Sequence, residues 1–412
     1  MDIAERRIVW LTAASHALVH TYELSIPILM TVWLLEFSTT AATLGVVVTV
    51  GYGLFGVGAL PGGVLVDRFG SKPLIILCLG GMAASFLLAG IAPSLWTLAI
   101  AVGLWGITAS VYHPAGLSLL SMAIEKPGTA LGYHGIGGNL GIALGPLVTV
   151  VLLLWFDWRT VTVVLAAPAA LVVAYAFRVD VAAALPDTHD GNGTKGKITL
   201  SDVRRDTRTL ATLGFGLVIL IVTLNGLYYR SFLTFLPSML GEFLSALPEI
   251  QIVDPESPYA EEFDVSRWLY VAILVVGVVG QYLGGKAADR FPTERGLTVA
   301  LGTLAALALV IVPASVHVGS FVGVSLLLGV TLFSIQPLSQ ATVAYYSPPE
   351  TRGLSFGYTY LAIFGVGALG AALAGGVLTY GSATLLFVVL AGLAATGSIV
   401  SIVLFRVGTR RS

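Results

Sequence analysis

GGVLVDRFGSKP at residues 62–73 and GGKAADRFPTERG at residues 284–296 are two versions of one loop in a single chain. Asp67-Arg68 in the first corresponds to Asp289-Arg290 in the second. Each loop follows a long apolar run, the second of the chain in one case and the eighth in the other. A charged, glycine-bearing turn between apolar runs reads as a turn at a membrane face. Gly62, Gly63 and Gly70 let the backbone reverse tightly, and the basic side chains stay out of lipid. The recurrence extends outward from there. GTALGYHGIGGNLGIALG (128–145) is matched by GLSFGYTYLAIFGVGALG (353–370). Gly128, Gly132, Tyr133, Ala143, Leu144 and Gly145 recur as Gly353, Gly357, Tyr358, Ala368, Leu369 and Gly370. Pro114 recurs as Pro337. The chain is therefore a doubled half, an arrangement that predicts a site at the interface between repeats.

The composition agrees. Of 412 residues, 56% are hydrophobic and 10% charged, against about 25% charged in a soluble domain, and the mean hydropathy is +0.92. So few ionisable groups cannot cover a water-facing surface, so the solvent is lipid. Twelve apolar runs are read at about 8–36, 41–66, 72–92, 95–124, 128–155, 159–178, 209–241, 267–288, 296–315, 318–346, 352–379 and 383–406. Backbone groups in lipid must bond within their own segment, so runs of this length predict helices. The short alternating segments of a membrane barrel are absent from the sequence. The expected fold is an all-α membrane protein of twelve transmembrane helices in two pseudo-symmetric six-helix bundles. Residues 1–178 form the first bundle, 179–208 a polar linker and 209–412 the second. The first apolar run is too long for a signal-peptide core and lacks a cleavage-like end, so it is expected to be retained. Trp10 and Trp33, near its two ends, are expected to be interfacial anchors.

Lys and Arg set the orientation. With the N-terminus inside, 18 of the 21 basic residues fall in cytoplasmic segments. Among them are Arg68, Lys72, Lys126, Lys195, Lys197, Arg290 and Arg352. Only Arg159 and Arg267 fall outside, and Arg230 lies within a run. Both termini are therefore expected in the cytoplasm of a multi-pass protein of the cell membrane. The outer segment 242–264 is rich in acids, Glu242 to Asp264. It reads as a solvated loop, or as a vestibule that attracts cations.

The pattern from Gly63 through Asp67, Arg68 and Gly70 to Lys72 resembles the signature loop of the major facilitator superfamily. GNLGIALGP (138–146) resembles the fifth-helix motif of its antiporter branch. SHALVHTYELS in the first run, GITASVYHPAGL in the fourth and GIGGNLGIALGPL in the fifth resemble the fosmidomycin-resistance group of efflux proteins within it. The resemblance implies alternating access, export of a small molecule in exchange for protons, and a cavity lined by the first, fourth, seventh and tenth helices.

Within that architecture the candidate residues sort by position. His16, His20 and Glu23 are spaced i, i+4 and i+7 and share one stripe of the first span. An ionisable group inside the membrane is costly and usually faces a cavity. These three, with His113 beside the helix-interrupting Pro114, are the candidates for proton coupling. The plainer alternative for Glu23 is a structural hydrogen bond or a head reaching the outer interface. His134 is a further histidine inside a span. Arg230 pairs with Glu23 across the cavity, binds an anionic substrate group through its planar fork, or reaches the headgroups. Tyr22, Trp105, Tyr112, Asn139, Tyr228 and Tyr229 are candidates for the cavity wall, and equally for packing. Gly63, Asp67, Arg68, Gly70 and Lys72, with Asp289 and Arg290, are candidates for a latch between the bundles. Gly137, Gly138, Gly141, Gly145 and Pro146 form a small-residue face for close packing, with a kink at Pro146.

Several chemistries are excluded. Net charge is −1, so charge points to no nucleic-acid partner. The single cysteine, Cys78, allows neither a disulfide framework nor a cysteine metal cluster, and no metal or cofactor is expected. There is no phosphate-binding loop and no His-Glu-x-x-His, and no soluble segment is long enough for an enzyme domain. The expected partners are a small-molecule substrate, protons and the bilayer, and the expected assembly is a monomer. The alternatives are proton-coupled uptake of an organic anion, and a transporter-like membrane sensor or receptor.

Overall fold

The computed structural model describes residues 1–124, 127–181, 200–245, 265–348 and 351–409, and among them every element is helical. The first half comprises α1 (Ile3–Glu36), α2 (Ala41–Val57), α3 (Ala59–Phe69), α4 (Ser71–Gly90), α5 (Leu95–Ala109), α6 (Tyr112–Ala123), α7 (Pro127–Leu153) and α8 (Trp158–Arg178). α9 (Leu200–Leu210) precedes the second half. That half comprises α10 (Leu213–Ser245), α11 (Val265–Arg290), α12 (Thr293–Ala314), α13 (Val318–Tyr345), α14 (Arg352–Tyr360), a π-helical segment Leu361–Val366, α15 (Leu369–Tyr380) and α16 (Ala383–Thr409). Among the described residues eleven helices are long and apolar enough to cross a membrane, and α2 is a shorter apolar one. Joined across their breaks, α2 with α3, α5 with α6, and α14 with the π segment and α15 each make one crossing, which gives twelve.

The breaks follow the sequence chemistry. Pro114 has no N–H to give and its ring crowds the preceding turn, and α5 stops at Ala109 before α6 begins at Tyr112. Gly70 adopts φ +79° between α3 and α4, a left-handed conformation that favours glycine. The first crossing starts on a capping box, in which Asp2 Oδ1 accepts from the Glu5 N–H at 2.7 Å and Glu5 Oε2 from the Asp2 N–H at 2.9 Å.

Two seams position the interior side chains. α1 packs along α7 because α7 presents glycine to it. A Cβ on Gly137, Gly141 or Gly145 would strike the α1 backbone at Ala13, Ala17 and Thr21 respectively. The second seam joins the halves, where α2 lies against α15 and the π segment. The Ala42 N–H donates to Thr379 Oγ1 at 2.8 Å and the Thr49 hydroxyl to the Ala368 carbonyl at 3.1 Å. A Cβ on Gly45 would come within 2.7 Å of the Ala371 carbonyl oxygen. These contacts run from mid-membrane to the end opposite the start of α1, so the halves are closed against each other on that side. α1 also meets α10, and α7 meets α11, across the same divide.

Two findings depart from the sequence reading. Trp33 is 1% exposed and packs edge-on against Trp158, with ring centroids 6.1 Å apart, so it is an interior residue and not a lipid anchor. Trp10, by contrast, is 71% exposed, as a lipid-facing ring at a helix end should be. The segment read as a polar linker closes on the amphipathic helix α9. That helix exposes Arg204, Arg205 and Arg208 and is tied to α14 by a 2.8 Å hydrogen bond between the Thr207 and Tyr358 hydroxyls. Lys126, Lys195, Lys197, Arg410, Arg411 and most of the acidic segment 242–264 lie outside the described residues, as do the side chains of Asp67 and Arg352.

Candidate functional site

Halfway along α1, Glu23 is 1% exposed, and so is Arg230, halfway along α10. Arg230 Nη2 donates to Glu23 Oε1, an ion pair that spans the two halves. Each charge alone would cost several kcal/mol to bury, so each persists because the other is there. The guanidinium carbon also lies 3.8 Å from the ring centroid of Tyr52 on α2, 5.6 Å from Tyr229 and 5.7 Å from Phe364. An aromatic face is a favourable seat for a desolvated cation.

The second carboxylate oxygen turns the other way. His20 Nδ1 lies 2.7 Å from Glu23 Oε2, and His20 Nε2 lies 3.1 Å from His16 Nε2. His16 Nδ1 in turn lies 2.8 Å from the backbone carbonyl of His134. The glycine face of α7 makes this last contact possible. A Cβ on Gly138 would strike the His16 imidazole. The His134 ring stacks on that of His16 at 3.9 Å, and His113 stands edge-on to His16 at 5.3 Å. The result is a continuous polar line: Arg230, Glu23, His20, His16, His134 carbonyl.

The structure thus brings Glu23, His20, His16, His113, Arg230 and Tyr229 into one cluster. Tyr112 joins it from below, stacked on His16 at 5.6 Å with its hydroxyl donating to the Thr12 carbonyl. Trp105 stands one layer behind, against Tyr52 and Phe55. Tyr22 does not join. Its hydroxyl donates to the Leu165 carbonyl at 2.8 Å, inside the packing of α1 on α8. Tyr228 packs beside Phe232, 5.8 Å away, and Asn139 is partly buried on α7. At the loop ends, Lys72 Nζ donates to the Val179 carbonyl at 2.7 Å and so ties α4 to the end of α8 within the first half. Arg68, Asp289 and Arg290 are exposed, and Gly63 has open space around it. His16, His20 and His113 offer ring nitrogens within 4.8 Å of one another, a spacing open to a transition ion. The hydrogen bonds of His16 and His20 use those same nitrogens, so we read the group as a hydrogen-bonded chain.

Sequence reasoning missed Tyr52, Phe55 and Phe364. Tyr52 stands between Gly51 and Gly53 in a span whose charges lie at its loop end. Phe364 is presented by the π segment, where the Gly367 N–H donates to the Ala362 carbonyl at 2.9 Å, five residues back. Such bulges are rare and concentrate at functional sites. Gly56 and Gly226 accommodate this one: an added Cβ would meet its backbone on either side. One face of the π segment carries Phe364 onto Phe55, His113 and Arg230. Its other face, Leu361, Ala362 and Val366, lines an apolar cavity of about 300 Å³ with Thr207, Phe215 and Tyr358.

Paired helical halves with a buried ion pair across their divide are an architecture suited to a multi-pass membrane transporter. The chain belongs to the Major Facilitator Superfamily, whose family model matches residues 10–253 and 255–412. Its fold is shared by a bacterial homologue of the human lysosomal transporter Spinster, solved inward-facing and occupied. That match has a TM-score of 0.76 and 13% identity over 98% of both chains. The nucleoside transporter NupG matches with a TM-score of 0.74 and 12% identity, over 98% of this chain and 99% of that one. Among curated proteins, none matches the sequence.

Proposed function

We propose that the protein is a proton-coupled secondary transporter that exports a small organic molecule in exchange for protons, with Glu23 as the group that carries the proton. The observation behind this reading is that one buried carboxylate serves both halves at once. A proton on Glu23 removes its charge, so Arg230 on the other half loses its counter-ion and the two halves lose a bond. A ligand effect of this kind, different in the two states, is what shifts a conformational equilibrium. A cationic or donor group of a substrate competes with the proton for the same carboxylate, and mutual exclusion at one site is the simplest form of exchange. The likeness of SHALVHTYELS and GITASVYHPAGL to the fosmidomycin-resistance efflux group supports the export direction.

A second reading rests on Arg230, whose Nε is buried without a partner among the described residues. If the substrate is an anion, it takes Arg230 only when protonation of Glu23 has released the guanidinium. Anion and proton then bind together and travel together, as uptake. The charge of the substrate thus decides the sign of coupling. The test is reconstitution into liposomes with an imposed pH difference, using ethidium, a nucleoside and the phosphonate fosmidomycin as probes of the three charge classes. Ethidium or the nucleoside should dissipate the gradient by exchange if the first reading holds, and fosmidomycin by co-transport if the second does. Movement of all three indifferent to pH contradicts both.

The Lys and Arg distribution supports a location in the cell membrane, with both termini and residues 182–199 in the cytoplasm. Single cysteines at Thr194 and Ser257, in a Cys78→Ala background, should label from opposite faces of the cell. Labelling of both from outside would overturn the topology.

A further inference from the structure

We propose that His16 and His20 are a proton relay that loads and unloads Glu23, with one mobile proton in a hydrogen-bond chain whose direction is set by the His134 carbonyl. The relay rests on the reading of Glu23 as the proton carrier and extends it to how the proton arrives. Its hydrogens can be counted. A carbonyl oxygen only accepts, so His16 Nδ1, 2.8 Å away, must carry a hydrogen. Between His16 Nε2 and His20 Nε2, 3.1 Å apart, one hydrogen is needed, and between His20 Nδ1 and Glu23 Oε2, 2.7 Å apart, another. Two neutral imidazoles supply two hydrogens in all, one at each ring. One is fixed on the carbonyl, which leaves one hydrogen for two contacts. With Glu23 ionised and both rings neutral, one contact would set two lone pairs against each other and could not stay at hydrogen-bond length. All three contacts therefore hold together only when the chain carries one further proton.

That proton has three places. On Glu23, the carboxyl donates to His20 Nδ1, and His20 Nε2–H donates to His16. On His20, both of its nitrogens donate. On His16, both of its nitrogens donate, and His20 keeps its own hydrogen on Nδ1 and donates it to the ionised Glu23. Moving between these states breaks one N–H or O–H bond and forms another per step, with no net electron transfer. The heavy atoms need not move. The groups facing the chain from each neighbouring element are Tyr52 on α2, Tyr112 and His113 on α6, His134 on α7, Tyr229 and Arg230 on α10, and Tyr270 on α11. None of them is a carboxylate, so Glu23 is the only acid along it among the described residues. The chain descends from Glu23 towards the start of α1, about 10 Å at 1.5 Å per residue. That is away from the closed outer part of the seam between α2 and α15. The His20 side chain is 13% exposed and that of Glu23 1%, so the relay reaches accessible surface where Glu23 does not.

The test needs no substrate. Protein in nanodiscs, weakly buffered with pyranine as the reporter, is given a rapid drop in pH. Wild type should take up one proton more than Glu23→Gln. His16→Gln and His20→Gln should keep that count but fill it about a hundredfold more slowly. Free imidazole should restore the rate in His20→Ala, which a purely structural role for the ring would not allow. In the unmodified chain labelled with ¹⁵N-histidine, one ring should show a protonated Nδ1 at every pH, and this readout survives even if a variant fails to fold. Unchanged uptake rates in His16→Gln and His20→Gln, or a bare Nδ1 on His16, overturn the relay and leave Glu23 as carrier. No extra proton in wild type overturns both.

Discussion

Glu23→Gln should abolish accumulation driven by a pH difference while leaving exchange of a neutral or anionic substrate in place. Glutamine keeps the size of the side chain and its hydrogen bonds to Arg230 and His20, and it has no charge to lose. It reproduces the protonated state, which the cycle must visit anyway, so the fold should survive the cost of leaving Arg230 without its counter-ion. Exchange of a neutral substrate, or of an anion held by Arg230, needs only rocking with a filled site and should survive. A cation, by contrast, loses the carboxylate it binds, and net movement against a gradient needs position 23 to change charge. The measurement is uptake into proteoliposomes with and without a pH difference, for wild type and variant. Full gradient-driven accumulation by the variant would remove Glu23 from the mechanism, and the histidines of α1 and α6 would be next in line.

The second large effect is on stability. Removing one partner of a buried ion pair costs about 3–5 kcal/mol, because the other charge is left uncompensated. In Arg230→Met the remaining carboxylate escapes that cost only by holding a proton. Holding it costs more as pH rises, by about 1.4 kcal/mol per pH unit. The variant should therefore melt close to wild type in acid and well below it at neutral and alkaline pH. Glu23→Gln combined with Arg230→Met leaves no charge to compensate, so it should recover most of the loss and flatten the pH dependence. A pH-independent loss in the single variant, unrelieved in the double, would mean that Arg230 matters for packing and not for its charge. Arg230→Lys keeps the charge but gives up the planar fork and its fit over Tyr52, so it should weaken an anionic substrate more than a neutral one.

Much of this architecture is legible in the residues alone. The doubled loop with Asp67 and Asp289 points to a repeat, and the apolar runs give twelve crossings, because lipid imposes helices on any span. The stripe of His16, His20 and Glu23 follows from helical spacing alone, and Arg230 stands out as the lone cation in a span. The partners are not legible. Spacing shows which side chains share a face, not that the faces of α1 and α10 meet, nor that the glycines of α7 bring His16 onto a backbone carbonyl. Tyr52 carries no sequence signal of its own, since an aromatic in a span is usually packing. The π segment is invisible to periodicity, because LAIFGVGALG (361–370) is apolar on every face and has no phase for an extra residue to shift. Trp33 misleads for the opposite reason. An aromatic near the end of a span has the right height for an interface anchor, and only its neighbour Trp158 shows that it faces inward.

The most direct measurement of the central claim is the steady-state accumulation ratio of a transported probe against the imposed pH difference. One proton exchanged for one singly charged cation such as ethidium, or taken up with one monoanion, gives about a tenfold change in ratio per pH unit. Coupling through Glu23 predicts that slope in wild type and a slope of zero in Glu23→Gln. A wild-type ratio that ignores the gradient, or a variant that follows it as wild type does, would contradict it.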